Sequence, residues 1–250
     1  MNLTEYFNIF IIELFKVTGS LGWSIVALTL ILRSLLIPLT LPSIKAQHKM
    51  RELQPEINKL KKSHGHDKKA LQQKQLELYQ KYNVNPLAGC LPQLLQIGVL
   101  ILLYRSLVSF LGDTNGHGLQ ISSQFLWLDL AKPDPKYILP VLAGVTQFIL
   151  SLMLAPATQT PDIIPNKSKS KKLQEANKKE EDTAEMAASI SQQMIFIMPL
   201  MTAFISLRFP SGLALYWVVS TVFSVVQQYF ISGPGGLTLY LKRITSKFNK

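Results

Sequence analysis

Apolar residues gather into five long runs, Leu21–Ile44, Leu91–Leu111, Tyr137–Ala155, Met194–Leu207 and Gly212–Ile231, with polar stretches between them. A hydrocarbon core of about 30 Å is crossed by about 20 helical residues. The pattern therefore predicts an all-α membrane protein with five transmembrane helices, at residues 21–44, 86–111, 137–155, 190–207 and 211–232. The second is carried back to Asn85-Pro86, which reads as an N-cap followed by proline at the first helical position. The fourth is short before Arg208-Phe209-Pro210, and Ile190 to Gln193 extend it by a turn.

The polar stretches have characters of their own. Residues 45–85 carry two narrow apolar stripes at helical spacing, Met50, Leu53, Ile57 and Leu60, then Leu71, Leu78 and Tyr82, broken at Ser63-His64-Gly65-His66-Asp67. This predicts a helical hairpin, mobile relative to the spans because its contact is narrow. Residues 112–136 form an extracytoplasmic loop whose Phe125-Leu126-Trp127-Leu128 suits the lipid interface. Residues 156–189 are rich in Pro, Lys, Glu, Asn and Ser and read as a linker, and residues 233–250 as a short basic tail after Gly233-Pro234-Gly235-Gly236. Residues 1–20 repeat Leu3, Tyr6, Phe7, Phe10, Leu14 and Val17 on one helical face. They read either as a helix lying in the outer interface or as the first turns of a long first span. With Glu5 and Glu13 and no basic leader, they do not read as a cleaved signal.

Charge orients the spans. Of the 26 Lys and Arg among 250 residues, ten fall in Lys45–Lys81, six in Lys167–Lys179 and four in Lys242–Lys250, all on one side of a five-span chain. The positive-inside rule places that side in the cytoplasm, with the N-terminus outside and the C-terminus inside the cell membrane. Cys90 is the only cysteine, so no intrachain disulfide forms. His64 and His66, at a polar turn without a ligand cluster, read as solvated rather than metal-binding, and no cofactor motif is present.

The most informative residue is Arg33, about a dozen residues into the first run, with no Asp or Glu in any span to pair with it. Arg at the centre of a spanning helix costs about 3 kcal/mol or more, so it faces a water-filled or protein-lined cavity or else snorkels to the head groups. Polar residues recur in every span: Thr29 with Arg33, Gln93 with Gln96, Gln147 with Ser151, Gln192, Gln193, Thr202 and Ser206, and Trp217, Ser220, Ser224 and Gln227. The glutamines crowd toward the cytoplasmic half. That distribution predicts a hydrophilic groove open to the cytoplasm, with Arg33 as its charge; for any single Gln, a helix-to-helix hydrogen bond is the plainer explanation. The candidate groove residues are Arg33, Thr29, Gln93, Gln96, Ser220 and Ser224. Absent intramembrane carboxylates count against a proton- or cation-coupled carrier, and no Ser-His-acid set supports hydrolysis, so an enzyme is not expected.

Several of these segments match a family. Asn85-Pro86 with Gly89-Cys90-Leu91-Pro92, Met198-Pro199-Leu200-Met201, Phe209-Pro210-Ser211-Gly212-Leu213, Leu215-Tyr216-Trp217 and Gln227-Gln228, together with Thr29, Arg33 and Pro38, resemble the YidC-type membrane protein insertases of the Oxa/Albino/YidC superfamily. The resemblance implies a five-helix core around a hydrophilic groove in which Arg33, Thr29, Gln147 and Trp217 line the client path. It implies nascent membrane proteins as clients, inserted alone or beside the Sec translocon. It also implies contacts of the basic segments with lipids and ribosomal RNA, and neither cofactor nor small-molecule substrate. The chain resembles a short bacterial form without the large periplasmic domain of many members. The alternative from another class is a small anion channel or solute carrier with Arg33 as its selective charge.

Overall fold

The computed structural model describes residues 3–64, 67–85, 91–112, 122–155 and 196–238. Its helices are α1 (Leu3–Thr18), α2 (Leu21–Leu35), α3 (Ile37–Glu52), α4 (Gln54–His64), α5 (Lys68–Lys81) and α6 (Leu91–Gly112), then α7 (Ile138–Leu154), α8 (Phe196–Ser206) and α9 (Ser211–Ser232). Two short antiparallel strands, β1 (Gln124–Phe125) and β2 (Leu128–Asp129), lie between α6 and α7. The linker at 156–189, Pro86, Gln192, Gln193 and residues 239–250 of the tail lie outside the described residues.

Each apolar run holds a helix. The 22 residues of α9 extend about 33 Å, and among the described residues α9 alone is both long and apolar enough to cross a membrane by itself. Leu94–Ser109, Ile138–Leu154 and Phe196–Ser206 are shorter apolar helices, and α1 and α2 reach the required length only together. Those two are not collinear. They bend by 118° at Gly19-Ser20, where Gly19 takes the left-handed φ of +68° that glycine tolerates.

The first run, expected as one element from 21 to 44, is divided instead. Helix α2 stops at Leu35, and α3 begins at Ile37 with Pro38 in its first turn. Proline there is compatible with a helix start but supplies no N–H to the preceding turn. Helix α3 then continues through Ile44 to Glu52. The change from apolar to charged sequence at Lys45 alters the surroundings of the helix and contains nothing that breaks its backbone.

One end of the bundle is sealed. Ile11, Leu21, Ile25, Leu28, Leu103, Leu107, Phe125, Leu128, Leu130, Leu139 and Leu213–Tyr216 form a single buried cluster joining α1, α2, α6, α7, α9 and the strand pair. Phe125, expected among interfacial aromatics, is buried against Gly22 and meets Trp23 edge-on at 5.6 Å between ring centroids. A Cβ at position 22 would collide with the Phe125 ring. The loop also satisfies helix ends, which otherwise leave donors unpaired. Asp134 accepts the N–H groups of Lys136 (3.0 Å) and Leu139 (2.8 Å) at the start of α7. Ser211 and Gly212, opening α9, donate to the carbonyls of Lys132 (2.7 Å) and Leu130 (3.1 Å).

Helices α4 and α5 pack against each other through Leu53, Ile57 and Val84, with Met50, Leu78 and Tyr79 alongside. Leu60 and Leu71, placed on the contact stripes by spacing, are outside this cluster, whereas Val84 and Tyr79 belong to it. Tyr82 lies at its edge and donates to Glu56 Oε1 at 3.0 Å.

Candidate functional site

Bordering this apolar cluster, with which it shares Leu32, Val99 and Tyr216, a cleft lies between α2, α3, α6 and α9. Its walls are Thr29, Leu32 and Arg33 from α2, Leu36 between α2 and α3, Thr40 from α3, Pro92, Leu95, Gln96 and Val99 from α6, and Tyr216 from α9. The cleft is narrow, with about 10 Å³ of room for the centre of a water-sized sphere. Thr29, Arg33, Leu36 and Thr40 follow one another at intervals of four, three and four, which keeps them on one face across the α2–α3 junction.

Arg33 is held by neutral groups only. Its Nε donates to Ser220 Oγ at 2.7 Å, and its Nη2 donates to Gln96 Oε1 and Ser220 Oγ. Ser220 is fully buried and in turn donates to Gln96 Oε1 at 3.0 Å. The three side chains come from α2, α6 and α9, so the guanidinium ties the cleft walls together. Among the described residues no carboxylate pairs with Arg33, and its Nη1 makes no hydrogen bond. A part-buried guanidinium with no carboxylate partner among the described residues is left to attract an anion that enters the cleft.

Toward the other mouth, Gln227 Nε2 donates to Thr40 Oγ1 at 3.1 Å, joining α9 to α3. Thr40 is buried and also donates to Leu36 O at 3.0 Å. The Thr29 hydroxyl, also buried, donates to Ile25 O at 2.6 Å and so presents mainly its methyl group and remaining lone pair to the cleft.

Of the candidate residues, the structure brings together Arg33, Thr29, Gln96 and Ser220. Ser224 is half-buried and donates to Ser220 O at 3.0 Å within α9. Gln147 on α7 and Trp217 on α9 are half-buried and are not among the residues bounding the cleft. The aromatic that bounds it is the neighbouring Tyr216, four residues before Ser220 and therefore on its face. The Gln93 side chain lies outside the described residues. Thr40 and Tyr216 were not singled out by the sequence. Their signal was positional, Thr40 continuing the Thr29–Arg33 face and Tyr216 preceding Ser220 by one turn.

The chain has extensive likeness to known proteins. The model of the 60Kd inner membrane protein family matches residues 13–235. The membrane protein insertase YidC of Fusobacterium nucleatum is 37% identical over 235 residues, covering 94% of this chain and 97% of that one. The membrane protein insertase MisCA of Bacillus subtilis is 35% identical over 226 residues, covering 88% of this chain and 73% of its own. The YidC of Geobacter sulfurreducens is longer: at 33% identity the match covers 86% of this chain and 34% of that one. A crystal structure described as an active YidC insertase with its first transmembrane domain resolved superimposes with a TM-score of 0.63 at 25% identity, over 91% of this chain and 46% of that one. A family match that runs from within α1 to the turn after α9, and a relative matched over nearly its full length, show that the chain belongs to the 60Kd inner membrane protein family, that of the YidC-type membrane protein insertases.

Proposed function

We propose that this chain inserts membrane proteins by drawing a short polar segment of the client into the cleft at Arg33 and releasing the client's apolar segment sideways into lipid. The observation that carries the reading is the guanidinium at the meeting of α2, α6 and α9, bonded to neutral Gln96 and Ser220 while Nη1 makes no hydrogen bond among the described residues. Acidic residues in a translocated tail are attracted to that charge, and the attraction strengthens as the local dielectric falls. A hydrated cleft that reaches Arg33 shortens the apolar distance a polar segment has to cross. Burial of the client's apolar surface in lipid, at about 25 cal/mol per Å², then drives release.

In this reading the five apolar runs are five spans around the groove, the α4–α5 hairpin is cytoplasmic, α1 lies in the outer interface, and the N- and C-termini are outside and inside. The 118° bend between α1 and α2 supports an α1 that lies across rather than along the first span. The sealed apolar cluster at the α1 end supports a groove closed toward the outside. Thr29, Gln147, Trp217, Gln93 and Ser224 are assigned to the client path with Arg33, Gln96 and Ser220. Partners are nascent membrane proteins, with the Sec translocon, ribosomal RNA and anionic lipids facing the basic segments.

The test is site-specific photo-crosslinking to a stalled client with an acidic tail. A photoreactive residue at Leu95 or Leu36, in the cleft wall, should capture the client tail, while one at Leu35 or Phe230, exposed on the outside of the bundle, should not. Equal capture at all four positions would sink the cleft as the path.

A further inference from the structure

Arg51 lies near the far end of α3, half-buried and 18 residues beyond Arg33. Its Nη1 donates to Met153 O at 2.7 Å, one of the last carbonyls of α7. Those carbonyls have no partner within their own helix, and a cation at a helix C-terminus is favoured by the helix dipole. The turn that leaves α9 closes over the pair. Gly235, at a φ of +55°, sits so close that a Cβ would collide with both Arg51 Nη1 and Met153 O, and a Cβ on Gly236 would crowd Leu152 O and Ala155 O. Leu237 then packs on Leu152, Ala155 and Phe148. Three elements thus converge on one guanidinium: α3, the end of α7, and the exit of α9.

Helix α3 connects the cleft to this contact, with Pro42 inside it. It starts at the break at Leu36, followed by Pro38, and Arg51 lies 15 residues beyond Leu36, about 22 Å away along the helix. Leu36 and Thr40, which bound the cleft, are at its start, where helical hydrogen bonds run on from α2 through Leu36 N to Leu32 O and Thr40 N to Leu36 O. Thr40 is tied to Gln227, and Arg51 is the second tie. We propose that Arg51 is a positioning residue that latches the far end of α3 to α7 beneath Gly235, holding both the cleft wall at Leu36 and Thr40 and the root of the α4–α5 hairpin. The consequence for insertion rests on the groove reading above; the latch itself does not.

The experiment measures α3 directly. In a Cys90→Ser background, spin labels at Lys49 and Val145, both exposed, report the α3–α7 distance in liposomes by pulsed electron resonance. The unaltered latch should give one narrow distribution. Arg51→Ala and Gly235→Ala, which attack the same contact from opposite sides, should each widen it at least twofold, and Arg51→Lys should fall between. Two distributions as narrow as the starting one would overturn the latch. Client insertion measured on the same variants separates the two claims. Widening with insertion slowed about threefold or more supports a wall that governs insertion. Widening with undiminished insertion, while Arg33→Ala still abolishes it, would overturn that part and leave the groove reading standing.

Discussion

Arg33 and Gln96, 63 residues apart, meet across the cleft with Ser220 between them, so the charge that makes the site costly is also what ties α2, α6 and α9 together. Removing one partner should therefore be felt in stability as well as in activity. Ser220→Ala deletes two hydrogen bonds from Arg33 and one to Gln96, and is expected to destabilise the protein by about 1 to 2 kcal/mol. Thermal unfolding in detergent checks this, and an unchanged midpoint would mean that water replaces the hydroxyl.

The seal above the cleft depends on a close approach. At Gly22 a methyl group would overlap the Phe125 ring, and an overpacked contact costs about 1 to 3 kcal/mol. Gly22→Ala should lower the unfolding midpoint and displace the buried Phe125 ring from its edge contact with the exposed Trp23 indole. Gly22→Ala with Phe125→Leu should recover part of the loss.

Asp134 is expected to be a structural carboxylate. Only 3% exposed, it accepts from Lys136 N and Leu139 N, and from Trp127 Nε1 at 3.3 Å. Asp134→Ala leaves these donors without an acceptor and should cost about 1 to 3 kcal/mol, whereas Asp134→Asn keeps one acceptor oxygen and should cost less. The order of the two midpoints is the check.

The α4–α5 hairpin has a titratable clasp. Accepting from Tyr82, the Glu56 carboxylate raises the phenol above its usual value of about 10. Because the folded value is the higher one, the contribution is complete below pH 10 and is lost as pH rises through the raised value. The ultraviolet titration of Tyr82, taken as the difference between the unaltered chain and Tyr82→Phe, should therefore run above the usual phenol range, and Glu56→Gln should bring it back. The pair is exposed, so the effect is expected to be small and local.

Much of this architecture was legible in the sequence because membranes impose simple length and polarity rules. The five apolar runs each contain a helix, and the resemblance carried by Arg33, Gly89-Cys90-Leu91-Pro92 and Phe209-Pro210-Ser211-Gly212 is matched by family membership. Thr29, Arg33, Gln96 and Ser220 could be singled out because polar side chains in an apolar run have few inexpensive positions. Hidden features depended on contacts between distant segments. Phe125 is buried because Gly22, a hundred residues earlier, leaves room for its ring, and no local pattern records that. The break at Leu36 followed by continuation to Glu52 was missed because hydropathy marks where water begins, whereas the backbone responds to Pro38. Gly235 stands in the sequence only as one of the glycines before the basic tail, and its position over Arg51 and Met153 O explains why a side chain is excluded there. Tyr216 and Trp217 are adjacent, and which of them bounds the cleft is set by the rotation of α9, which the sequence alone leaves open.

The most direct measurement is insertion itself. Purified protein in liposomes, offered a small client with an acidic translocated tail, is assayed by protease protection of that tail, comparing the unaltered chain with Arg33→Ala, Arg33→Lys and empty liposomes. The account predicts protection by the unaltered chain, loss of most of it in Arg33→Ala, and retention of much of it in Arg33→Lys, because the charge matters more than the fork geometry. Equal loss in both variants would contradict the charge argument. Equal protection in all four samples, or anion flux through the liposomes in place of insertion, would contradict the insertion mechanism at Arg33 altogether.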